Sequence, residues 1–230
     1  MMTLPQSAMA HISVDFHNHS IYSYDAKITL DDFLKNSTVD VFAVTDHNDF
    51  RFHENYSDGK VIYKIATKWF ITGEEIMTND AGEIIGLFIS KKIESGLTLK
   101  ETLSEIKRQN GIVYLPHPYD LYRKGKPKLS VVKKYIDMVD IIEVFNAKYF
   151  TNFEVTLSHR LAKKFSKATG YGSDAHKKED LGKGYIILKY NSPNEIDKGN
   201  LLNLLRNETN IVETVEIRRN FFKTLLKKLR

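Results

Sequence analysis

Short apolar runs alternate with longer amphipathic stretches along almost the whole chain, and this rhythm is what most restricts its fold. The runs "ISVDF" (12–16), "VDVFAV" (39–44), "KWFIT" (68–72), "GEIIGLFI" (82–89), "GIVYL" (111–115), "VDIIEVF" (139–145), "ATGYG" (168–172) and "KGYIIL" (183–188) are rich in Val, Ile, Phe and Tyr and bounded by turn residues. Those are the marks of strands. Residues 29–37, 98–111, 131–138 and 152–168 between them read as helices. Thr29 and Thr98 each stand three places before an acidic residue, Asp32 and Glu101, as at a capped helix start. Repeated strand and helix units predict α/β architecture with a mostly parallel sheet. At 230 residues the chain is long enough to bury one sizeable core, and no internal repeat or low-complexity linker divides it.

Polar residues of one chemical kind fall where the apolar runs end. "VDF" leads into His17 and His19, "VFAV" into Asp46 and His47, "FIT" into Glu74 and Glu75, "IVYL" into His117, and "TGYG" into Asp174 and His176. "DIIEVF" carries Glu143 and meets Asn146, two residues read only as neighbours of the site or as loop partners. Side chains at i and i+2 of a strand point the same way, so His17 with His19, and Asp174 with His176, are placed to chelate in pairs. Adjacent Glu74 and Glu75 point oppositely, and only one of them faces any common site. Active sites of barrels and open α/β sheets gather at strand C-termini. Imidazoles and carboxylates crowded there are costly to bury unless paired or bound to cations, and a divalent metal accounts for all of them together. His53 and His159 lie outside the pattern and read as solvated or hydrogen-bonded residues.

The chain has no cysteine, which removes disulfides, thiolate zinc sites and thiol nucleophiles, so a metal must be held by nitrogen and oxygen. Histidine-rich ligation favours zinc, manganese or iron and disfavours magnesium. A net charge of +5 suits anionic substrates but does not define them. No run approaches the roughly 18 apolar residues of a membrane span, and the first residues do not resemble a signal peptide; the expectation is a cytoplasmic protein with no membrane partner.

Five segments in order resemble the motifs of the PHP (polymerase and histidinol phosphatase) superfamily of metal-dependent phosphoesterases. They are "DFHNHSIYSYD", "AVTDHND", "TGEEI", "LPHPYD" and "GSDAH", spread over roughly residues 13 to 188. The resemblance implies a distorted (β/α)7 TIM-like barrel with two or three divalent ions at the strand C-termini. It implies that His17 and His19 bind one ion with Glu75, and with Asp174 as a shared ligand. Asp25, His47 and His176 would surround another, His117 a third or bridging position, and Asp46 would be a ligand or would orient its neighbour. Two departures stand out: Tyr24 intervenes before Asp25, and the strand "GEIIGLFI" lacks the histidine that several relatives carry, which points to two ions.

The activity this implies is hydrolysis of a phosphate ester by metal-activated hydroxide, on a phosphorylated small molecule, nucleotide or oligonucleotide. Catalytic roles fall to Asp46, His117, Arg123 and Asp174. Arg123, just past His117, is placed for a bidentate phosphate contact, with Lys124, Lys126 and Lys148 as weaker candidates. The expected layout is an N-terminal tail (1–12), a phosphoesterase domain (13–210) and a C-terminal strand and basic helix (211–230). That helix, from Arg218 onward, either packs on the body or contacts nucleic acid. The competing functions are an amidohydrolase-like hydrolase and a nucleic-acid-binding module built on that helix.

Overall fold

The computed structural model describes residues 10–120, 122–190 and 196–218. In chain order its elements are β1 (Ala10–Asn18), α1 (Leu30–Lys35), β2 (Val41–Val44), α2 (Arg51–Tyr56), β3 (Ile62–Ile65), β4 (Lys68–Thr78) and β5 (Gly82–Leu87). Then follow α3 (Leu99–Arg108), β6 (Ile112–Leu115), α4 (Leu129–Val132), β7 (Ile141–Asn146), α5 (Asn152–Lys164), β8 (Ala168–Gly172), β9 (Gly184–Tyr190), α6 (Lys198–Arg206) and β10 (Ile211–Glu216). The basic helix expected beyond Arg218 lies outside the described residues.

The strands join in the order β10-β9-β1-β2-β4-β5-β6-β7-β8, with β3 added antiparallel beside β4. The seven from β1 to β8, leaving out β3, curl into a nearly closed barrel of the TIM-like kind expected. The seam between β8 and β1 is thin. It is closed by a bridge from Asn18 to Ala175 and by the Asp174 amide on the His17 carbonyl (2.7 Å) and the His19 amide on the Ala175 carbonyl (3.0 Å). Parallel pairing holds for β1 with β2, β2 with β4, β6 with β7 and β7 with β8. The sheet is less parallel than expected, because β5 runs against both its neighbours and β9 and β10 run against theirs. The cause is local: β4 returns as β5 after only Asn79–Ala81, too short a link for a parallel crossover.

The continuous apolar runs of β2 and β6 are buried on both faces, as strands lying between helices and the barrel interior must be. Thr29 and Thr98 each accept from the third helical residue's amide, and the Asp32 and Glu101 carboxylates accept from the cap amides in return. A helix expected at 131–138 is one α turn followed by a tighter 3-10 segment broken at Tyr135. Lys128, at its start, supplies no side-chain cap, and β-branched Val131 and Val132 favour helix weakly. No strand was expected at β3 and no helix at α2 or α6.

Candidate metal centre

The barrel wall below the site is hollowed by two glycines of β8. A Cβ on Gly170 would strike the Tyr114 ring at 2.3 Å, and one on Gly172 would lie 2.4 Å from Glu143 Oε1 and 2.5 Å from the His17 Cβ. Into that space β7 projects Glu143, fully buried. Its Oε1 accepts from His17 Nδ1 (3.1 Å) and from the Tyr114 hydroxyl (3.0 Å), and its Oε2 accepts from the His117 amide (2.6 Å) and Asn146 Nδ2 (3.0 Å). A carboxylate only accepts, so His17 carries a proton on Nδ1 and turns its Nε2 toward the site.

His19 is fixed by the same logic through a different chain of bonds. Asp46 takes the Ser20 amide (2.6 Å), the Ser20 hydroxyl (2.6 Å) and the Ser23 hydroxyl (2.8 Å). Ser23 Oγ, having donated to Asp46 and accepted from the His47 amide (3.0 Å), is an acceptor for His19 Nδ1 at 3.1 Å. His19 Nε2 is thereby left bare. The two Nε2 atoms lie 3.1 Å apart, and lone pairs that close require a proton or a cation between or beside them.

Anionic oxygens surround this pair. Asp174 Oδ1 lies 3.7 Å from His17 Nε2 and 3.3 Å from His19 Nε2, while Glu75 Oε2 lies 3.5 Å and 3.4 Å from the same atoms and 3.0 Å from His47 Nδ1. Glu75 Oε1 meets His117 Nε2 at 2.9 Å. Asp25, more open to solvent, reaches His176 Nε2 at 3.2 Å and His47 Nε2 at 3.8 Å. Of the two adjacent glutamates only Glu75 enters the site. Glu74 turns away to accept from the Ile93 amide (2.8 Å), and burial pushes its carboxyl up to about 8.

The electrostatics are sharply divided between neighbouring imidazoles. Burial opposes charge on His17, yet Asp174, Glu143 and Glu75 together hold it well above the usual histidine value. Burial, with His176 and His47 beside it, holds His19 well below that value. Burial also works against ionised Glu75 and Asp174, but His17 and His47 keep the first well below the ordinary carboxylate range, and Arg123 and Lys148 the second. His117 and Asp174 both adopt left-handed backbone, with φ of 27° and 48°, a strain that marks sites where placement of a side chain outweighs local preference.

Among the described residues, four groupings of ligand atoms lie close enough to share an ion: His19, His47 and His176; His17, Glu75 and His117; His17, His19 and Asp174; and His47, Glu75 and Glu83. The donor set fits a metal on a further ground. Glu75 Oε2 and Glu83 Oε2 are buried and make no hydrogen bond of good geometry, although imidazoles surround them. Arg123 lies against the same carboxylates, its guanidinium on Asp174 and with Nη1 3.6 Å from Glu83 and 3.8 Å from Glu75. Lys148 Nζ reaches Asp174 Oδ1 at 2.8 Å and His176 Nδ1 at 2.7 Å.

A PHP-associated family model matches residues 154–209. Over 221 residues, 92% of this chain and 86% of the relative, the sequence is 32% identical to an uncharacterized protein of Methanocaldococcus jannaschii. The fold superposes on a two-domain protein containing a predicted PHP-like metal-dependent phosphoesterase from Bacteroides vulgatus, with TM-score 0.62 and 17% identity over 86% of this chain and 63% of that one. The chain belongs to the PHP superfamily. The PHP barrel also superposes on a lesion-specific endonuclease from Pyrococcus furiosus, with TM-score 0.66 and 12% identity over 90% of this chain and 59% of that one. It therefore spans less than two thirds of each of these two solved chains.

Within this PHP site, the eight residues expected as ligands are brought together by β1, β4 and the segments after β1, β2, β6 and β8. Asp46 is the exception among the expected site residues, since its carboxylate is spent on Ser20 and Ser23 and touches the imidazoles only through Ser23. Lys124 and Lys126 are not among the cations reaching the carboxylates. Glu83 enters where no residue was expected. Its Oε1 is 3.8 Å from His47 Nδ1 and its Oε2 3.6 Å from His117 Nε2. The strand that lacks a histidine thus supplies a carboxylate instead. His53 is a structural residue of α2, buried and hydrogen-bonded to the Tyr63 hydroxyl (3.0 Å) and the Val44 carbonyl (2.8 Å).

Proposed function

We propose that this PHP chain is a metal-dependent phosphoesterase that hydrolyses a phosphorylated small molecule or nucleotide. The observation that carries the reading is the convergence of the His17 and His19 Nε2 atoms, 3.1 Å apart, with Glu75 and Asp174, a buried set of imidazole and carboxylate donors that suits cations. His17, His19, Asp25, His47, Glu75, His117, Asp174 and His176 would hold two or three of them, with Glu83 as an additional oxygen ligand. The mix of imidazole and carboxylate suits zinc, manganese or iron. Such ions supply water activated near neutral pH and neutralisation of charge on phosphoryl oxygens.

The chain's own residues do the rest. Glu143 and Ser23 fix the tautomers of His17 and His19, with Asp46 acting as a positioning residue behind Ser23. Arg123, only 15% exposed at its side chain, and Lys148 converge on Asp174 from the loops after β6 and β7, where a phosphoryl group would find two cations. Asp120 holds the Arg123 loop by accepting from the Tyr122 and Arg123 amides (2.9 and 3.2 Å).

Elemental analysis of untagged protein purified without chelator, beside the His17→Ala and Asp174→Ala variants, tests the metal centre. Two or more transition-metal ions per chain, lost in the variants, are expected. A phosphoester screen on the loaded protein, with amide substrates in parallel, then tests the reaction. Protein that stays metal-free when supplied with manganese, zinc or iron, or that cleaves only amides, would overturn the proposal.

A further inference from the structure

Among the described residues, the aromatic side chains most open to water are Tyr24 (85% exposed), Tyr122 (68%) and Phe153 (60%). A single exposed aromatic needs no explanation, but these three share one end of the molecule. Tyr24 follows β1 and precedes Asp25, Tyr122 follows β6 and precedes Arg123, and Phe153 opens α5 just after β7. Two of the rings have an aromatic neighbour. Tyr24 lies over His47, with centroids 5.3 Å apart and planes 31° from parallel. Tyr122 stands edge-on to Phe150, with centroids 5.0 Å apart at 86°. One ring thus borders the His47 side of the site, and the other pair borders the loops that carry Arg123 and Lys148.

We propose that Tyr24 and the Tyr122–Phe150 pair form a stacking rim that selects phosphoesters bearing an aromatic base, so that nucleotides are the substrate class of this site. The inference rests on the phosphoesterase reading above and specifies its substrate. A phosphoryl group drawn to Arg123 and Lys148 leaves the remainder of its ester at the mouth, where Tyr24 and Tyr122 are exposed. Stacking tolerates every base, since each has a π-face.

The test uses the manganese-loaded full chain with two probes, 2-aminopurine riboside 5′-monophosphate and ribose 5-phosphate. The purine's fluorescence reports stacking directly, and phosphate release reports turnover of both probes. Binding is expected to quench the purine emission, and kcat/KM for the nucleotide is expected to exceed that for ribose 5-phosphate by about 10- to 100-fold. Tyr24→Leu and Tyr122→Leu should each weaken the quench and lower that ratio towards one, whereas Tyr24→Phe should preserve both. Emission left unquenched, or a quench and ratio unmoved in both leucine variants, would overturn the stacking rim; phosphate released equally from both probes would do so while leaving the phosphoesterase reading standing. A tyrosine-dependent quench without phosphate release from either probe would overturn nucleotide monoesters as the substrate class while leaving the phosphoesterase reading to its own screen.

Discussion

Glu143 spends both its oxygens on four donors, and two of these belong to His17 and His117. Replacing it with Gln substitutes an amide for one acceptor and frees the His17 tautomer. Glu143→Gln should therefore weaken metal binding about 10- to 100-fold with the fold retained, as measured by competition with a chromophoric chelator. His53 gives a second prediction at this scale. Burial holds its pKa at about 4, against 6.5 for the unfolded chain. Between those two values the unfolded state binds more protons, so stability falls as pH drops from about 6.5 to about 4, by on the order of 3 kcal/mol from this group. In urea titrations across that range, His53→Gln should start less stable than the parent and lose less. These residues differ in how readable they are. His17 and His19 declare themselves by spacing on a strand, whereas Glu143 sits inside an apolar run, where nothing local separates a hub from an ion-pair partner.

At the scale of elements, β5 explains what the chain conceals. Its neighbours bring their C-termini to the site, but a reversed strand brings its beginning, so Glu83 arrives from a place where strand-end reasoning does not look. The short hairpin between β4 and β5 was the available signal. Most other strands were legible because they are apolar and buried; β3 was not, since only Tyr63 of its four residues is buried. Helices α1 and α3 were legible from Thr29 and Thr98, and α2 was not, since Phe50 at its start provides no side-chain cap. Glu83→Gln tests the value of the reversed strand. With the proposed ligation, the variant should hold fewer ions per chain than the parent under equal metal supply while its circular dichroism is unchanged, measured by elemental analysis after gel filtration.

At the scale of the whole molecule, the comparison with known folds and the site geometry converge on one barrel with its reactive groups at one end. Among the described residues no helix is long and apolar enough to cross a membrane. On the proposed reading, manganese at about 100 times its dissociation constant should stabilise the chain by about 2.7 kcal/mol, and the expected rise in melting temperature is about 5 to 10 °C by calorimetry. The seam gives that stabilisation a location. His17 and His19 stand on one side of the barrel's thinnest joint and Asp174 and His176 on the other, with few backbone bonds between them. Ions gripped from both sides would work as a clasp on a hoop, so that the reaction centre also serves as the fastening of the barrel. Amide exchange at His19 and Asp174 should slow with metal more than at the β6–β7 pairing on the far wall, and the first motion on chelation should be a parting of the hoop at its join.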